Sequence, residues 1–255
     1  MNNLTLQPKL IEETIAQLLN RIDDRFPGSG LGKVCHQLLR ISRAAEEKSL
    51  WLGRPVIWLR MLATIVIGLL LAGTAAQVYF FDWRQTSIPW ADFVQAIEAL
   101  ANEVVLISAA IFFLVTLETR LKRSRGLNAI HELRSVAHII DMHQLTKDPE
   151  RAMSKSYQST KFSPKVPMDS FQLRRYLDYC SEMLSLTGKV GAEYVNHFDD
   201  AVMVSAVNEV ESLTADFSRK IWQKIMILHS FETPSAVTAE FKPASTQSTP
   251  LSENK

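Results

Sequence analysis

The stretch MLATIVIGLLLAGTAAQVYFF, from Met61 to Phe81, runs for 21 residues without a charge. About 20 apolar residues in a helix span the roughly 30 Å hydrocarbon core of a bilayer, so this stretch reads as a transmembrane helix. It starts too late for a secretory signal, and no small-residue cleavage site follows a short apolar region, so it is expected to stay in the mature chain. A second block, Phe93 to Leu117, carries Glu98 and Glu103 in its first half and then continues as VVLISAAIFFLVTL. It reads as the returning span.

The flanking charges orient the pair. Arg84 is the only Lys or Arg between the blocks, whereas Arg54 and Arg60 precede them and Arg120, Lys122, Arg123 and Arg125 follow. Basic residues stay on the cytoplasmic side, which predicts a multi-pass hairpin with both termini cytoplasmic. Trp51 and Trp58 then lie near the inner entrance, and Tyr79, Trp83 and Trp90 around the outer turn, where amphipathic rings favour the interface. The connection Asp82 to Asp92 is too short for an external domain. Any folded recognition surface is therefore expected inside the cell, where Cys35 and Cys180 stay reduced.

The whole chain has 255 residues, 47% hydrophobic and 22% charged, with a net charge of +1. Those values exclude a disordered chain, a disulfide scaffold and a polycationic nucleic-acid binder. No strand alternation or internal repeat interrupts what reads as an all-α protein. Residues 1–54 are expected to form amphipathic helices, 55–119 the hairpin, 120–230 a helical domain with a linker near 147–168, and 231–255 a disordered tail. In the first segment Ile11, Ile15, Leu18 and Ile22 recur at alternating four- and three-residue steps, with Leu4 seven residues ahead, a narrow seam of the coiled-coil kind. The PGSG of 27–30 ends that helix, and a second runs from about Leu31 to Leu52. Past the membrane, one helix is expected to reach Leu145 and stop at the Lys-Asp-Pro of 147–149. Asp169 with Gln172 has the spacing of a capping box, opening a helix whose apolar side carries Leu173, Tyr176, Leu177, Cys180 and Leu184 and which extends to about Asn196. The last helix starts at Asp199 or Asp200, with Val207, Val210, Thr214, Phe217, Ile221, Ile225 and Leu228 on one side.

Three polar or small-residue constellations stand out. Gly68, Ala72 and Ala76 recur every fourth residue of the first span, where small residues admit a close helix neighbour, either the second span or another subunit. Glu103 lies about 21 Å from Leu117 at 1.5 Å per residue, inside the hydrocarbon, with Glu98 and Asn102 together on a different face. A carboxylate at that depth points to ion passage or a partner charge, while a tilted or shifted span would instead put both glutamates among the head groups. Finally, His131, Arg134, His138 and Asp141 form a polar stripe beside the apolar face of Ile130, Leu133, Ala137 and Ile140, with His143 off the stripe. Two turns between the histidines are too far for one ion without help from another helix, and Arg134 repels a cation. The stripe is left open between structural contacts, a pH-sensitive contact and metal binding.

Other motifs fail on inspection. GSGLGKV at 28–34 has Pro27 where a phosphate-binding loop needs its first glycine and Val34 where it needs a hydroxyl, so no nucleotide cofactor is expected. HELRS at 131–135 lacks the second zincin histidine, and no GxSxG or nucleophilic cysteine motif occurs.

The stretches His131 to Pro149 and Arg219 to Leu228 resemble segments of uncharacterised bacterial membrane proteins with a similar two-span layout. The resemblance covers mainly the part after the spans and implies a bacterial cytoplasmic membrane, with no activity, cofactor or site residue attached. The sequence therefore reads as a non-enzymatic, membrane-anchored helical protein that meets a protein partner or copies of itself. A small oligomeric channel or transporter component using Glu103 is the alternative, and a metal-dependent enzyme a further one.

Overall fold

A computed structural model describes residues 7–80, 90–149, 160–162 and 168–232. Helix accounts for 88% of these residues, and no strand occurs among them. The helices are α1 (Pro8–Arg25), α2 (Gly30–Gly53), α3 (Ile57–Phe80), α4 (Trp90–Leu145), α5 (Ser170–Glu193) and α6 (Ala201–Glu232). Leu4, Trp83, most of the 82–92 connection, most of the 147–168 linker and the tail beyond Glu232 lie outside the described residues.

Local signals start and stop these helices. Pro8 opens α1, where its missing N–H costs nothing, and all four seam residues, Ile11, Ile15, Leu18 and Ile22, are buried. The chain reverses at Gly28, whose φ of 69° lies in the left-handed region that side chains disfavour. Ser29 then caps α2, its hydroxyl accepting the Gly32 N–H at 3.1 Å. Asp169 and Gln172 form the complete capping box, although α5 ends at Glu193, slightly short of the expected Asn196. Asp200 caps α6 by accepting the Met203 N–H at 3.1 Å.

Helix α4 is 56 residues long, about 84 Å at 1.5 Å per residue. Its first half and α3 form an antiparallel pair that leaves most of its apolar surface uncovered. Phe112 is 74% exposed and Leu69 is 69% exposed. These two helices are long and apolar enough to cross a membrane, with mean hydropathy reaching 2.2 in each. Two side-chain bonds set their register. Arg60 donates to Glu118 at 3.4 Å at one end, and the Thr74 hydroxyl donates to Glu103 at 3.0 Å nearer the other.

The second half of α4 enters the core of a helical bundle. Helices α1 and α2 belong to that same core, so the segments before and after the hairpin share one set of buried side chains rather than forming separate packing units. Helix α2 runs back toward the hairpin, with its start near His143 and its end near Gly126. The ring of His143 lies so close that a Cβ on Gly30 would come within 2.5 Å of it. Helix α5 packs on α1, α2, α4 and α6. Helix α6 runs parallel to α4, joined to it by the fork of Arg123 on Asp200 at 2.7 Å and, at the far end, by Lys224, which donates to the carbonyls of Gln144 and Lys147. Each apolar residue that the sequence assigned to the inner sides of α5 and α6 is buried.

Candidate functional site

The polar stripe of α4 is distributed along the α4–α6 seam. Arg134 faces Glu209 on α6 at 3.6 Å, the ring of His138 meets Phe217 edge-on at 5.5 Å, and Asp141 accepts the Gln144 amide at 2.7 Å. His131 is exposed. Three of the four residues are thus held in separate contacts and the fourth is exposed, so they do not converge on one point, and among the described residues no group of three His, Cys, Asp or Glu is placed to hold a metal ion. His143, off the stripe, is half-buried over the start of α2, and burial, assisted by Lys147, pushes its pKa down.

In the apolar pair, Glu103 faces α3 and is tied to Thr74, whereas Glu98 and Asn102 are exposed. Rotation along α4 was readable from spacing, but the hydroxyl partner was not. The Gly68, Ala72, Ala76 row is exposed, and a Cβ placed on Gly68 would meet nothing within 4 Å. Of the two neighbours the sequence allowed, α4 does not fill this row; it packs on the face that includes Ala63 and Thr74.

Cys35 and Cys180 are buried free thiols. Burial raises the Cys35 pKa to about 12, with Asp23 adding to it, and raises Cys180 as well, which leaves both as inert packing groups.

The least expected polar groups lie where α2, α4 and the end of α5 meet. Glu193 is 2% exposed, and neither carboxylate oxygen has a hydrogen-bond partner among the described residues. Burial, with the charge of Glu46 acting in the same direction, raises its pKa to about 7. Its backbone carbonyl accepts the buried Ser49 hydroxyl at 2.8 Å, locking the end of α5 to α2. Next to it, Tyr194 is fully buried with its hydroxyl likewise unpartnered. Tyr194 borders a cavity of about 490 Å³ whose other walls include Trp51 and Arg125, the guanidinium lying 4.3 Å from the indole centroid. Glu193 and Tyr194 continue the three- and four-residue steps of the buried side of α5, but nothing in that spacing marks their polar atoms as unpartnered. Only the convergence of three distant segments reveals that they are buried without polar partners among the described residues.

No family model, curated protein or solved structure matches the chain.

Proposed function

We propose that the chain is an integral protein of a bacterial cytoplasmic membrane, both termini cytosolic, that holds its helical bundle at the membrane surface for contact with a protein partner or with further copies of itself. The reading is non-enzymatic. The observation that carries it is the continuity of α4, which passes without a break from an uncovered apolar half into the bundle core. An anchor joined by a flexible linker only tethers a domain, whereas an unbroken helix fixes the bundle's height and orientation above the bilayer.

The charge asymmetry around the apolar blocks supports the sidedness. Self-association is supported by the small-residue row facing away from α4, since uncovered Gly and Ala let a second helix approach closely in lipid. On the bundle, Trp222 at 61% exposure and Met226 at 50% give α6 an apolar outer edge suited to a protein contact.

Fusions test the topology. A cytoplasm-dependent fluorescent reporter is expected to be active at either terminus, and an exported phosphatase reporter active only when inserted between residues 82 and 89. Recovery of the full chain from a detergent-free extract would sink the membrane reading. Ala72→Ile is expected to shift the species observed in mild detergent toward a smaller assembly. An identical migration profile would count against packing through this row.

A further inference from the structure

We propose that the cavity between α2, α4 and Tyr194 is a binding site for a phosphate-bearing anionic head group, supplied by an acidic phospholipid of the inner leaflet. The cavity's 490 Å³ falls within the usual range for small-ligand sites. Three of its lining residues, Arg125, Lys48 and Asn128, are exposed and carry donor groups, and the buried Tyr194 borders it. A phosphate diester offers oxygens that only accept, so it complements such a set. Acidic side chains are also near. Glu47 stands exposed at the rim, and Glu132 lies 3.9 Å from Lys48. Arg125 has no carboxylate partner among the described residues; its plane is instead held against Trp51. A guanidinium placed over an aromatic face can still present its N–H edges to phosphate in a fork.

Tyr194 is the independent sign of a ligand. It is fully buried, it borders the cavity, and its hydroxyl lacks a hydrogen-bond partner among the described residues. A buried hydroxyl left unpaired is costly, and a phosphate oxygen would satisfy it.

Assignment to a lipid rests on the membrane reading proposed above. Arg125 follows Leu117 by eight residues, about 12 Å along the helix, and Cβ bonds tilt toward the N-terminus, which here is the bilayer side. The polar layer extends several Å beyond the hydrocarbon, so a head group that enters the cavity stands at the outer edge of that layer. The shared chemistry also admits a soluble phosphate ester.

The full-length chain in neutral detergent, with phosphatidylglycerol, phosphatidylcholine or glycerol 3-phosphate added, separates these sources by binding and thermal shift. Phosphatidylglycerol is expected to bind and stabilise more than phosphatidylcholine. Arg125→Gln should weaken that binding roughly tenfold or more. Tyr194→Phe should weaken it severalfold while leaving the ligand-free unfolding midpoint unchanged or higher, because the hydroxyl removed is buried and unpartnered among the described residues. Arg120→Gln, on an exposed position outside the cavity, should retain binding. An equal response to glycerol 3-phosphate would keep the phosphate site but overturn its assignment to lipid. Equal responses to both lipids with none to glycerol 3-phosphate would overturn the site, as would equal losses in Arg125→Gln and Arg120→Gln. Should the chain prove soluble without detergent, the glycerol 3-phosphate arm still tests the cavity after the membrane reading has failed.

Discussion

Replacing Glu193 with Gln should make the protein more stable than the wild type above pH 7 and leave the two alike below about pH 5. The carboxyl is 2% exposed, lacks a hydrogen-bond partner among the described residues, and has its pKa raised from 4.5 to about 7 by burial together with Glu46. Between those values the folded state binds more protons than the unfolded state, so stability falls as pH rises. It is highest below about 4.5, declines through about 7 and then levels off. A shift of that size corresponds to about 3 kcal/mol over the window. Glutamine cannot ionise, so its profile should lack this decline. Unfolding midpoints of both proteins in one detergent, measured at pH 5 and pH 8.5, check the expectation. Parallel profiles would show that the carboxyl is solvated or paired in the working protein. The release would act where Ser49 locks the end of α5 to α2, so the looser state above neutrality should be local to that junction.

Asp200→Ala should destabilise the protein by about 2–4 kcal/mol, combining a lost helix cap with the loss of charge-assisted bonds. Asp200 is 8% exposed and has two tasks: it accepts the Met203 N–H at the start of α6, and it receives Nε and Nη2 of Arg123. Alanine removes both and leaves Arg123 without its partner. Asp200→Asn retains the cap and should cost distinctly less, so the difference between the variants measures the ion pair. The hydrogen bonds from Arg123 hold the Asp200 carboxyl below the usual range although burial opposes them, and the N–H groups at the start of α6 act in the same direction. Its contribution is therefore present at neutral pH and lost as pH falls through that lowered value. Chemical unfolding of the three proteins at pH 7 is the check; an Ala variant within 0.5 kcal/mol of wild type, as an order-of-magnitude threshold for an ordinary surface site, would refute the double role. By contrast, the exposed pair Arg219 and Asp216 should contribute little.

Much of the local architecture was legible because helix periodicity is a property of contiguous residues. Ile11, Ile15, Leu18 and Ile22 disclose the inner face of α1 whatever packs on it, and Asp169 with Gln172 discloses a helix start through bonds that span only three residues. The same reasoning correctly separated Glu103 from Glu98 and Asn102 by rotation. It could not say which helix face meets α4, since that depends on the register set by Arg60 with Glu118 and Thr74 with Glu103. The Gly68 row was visible, but its outward orientation was not. Likewise the stripe from His131 to Asp141 was readable as a line on one helix, while its separate contacts with Glu209 and Phe217 depend on how α6 lies beside it.

By itself the sequence determined the helical class, the two apolar lengths, the helix starts and the buried sides of α1, α5 and α6, because each follows from short-range spacing or from hydrophobicity summed over one segment. Tertiary structure alone decided that α1 and α2 share a core with α5 and α6, and that Trp51, Arg125 and Tyr194 meet around one cavity. Such meetings depend on relative helix rotation and translation, which are settled by the simultaneous packing of side chains far apart in the chain.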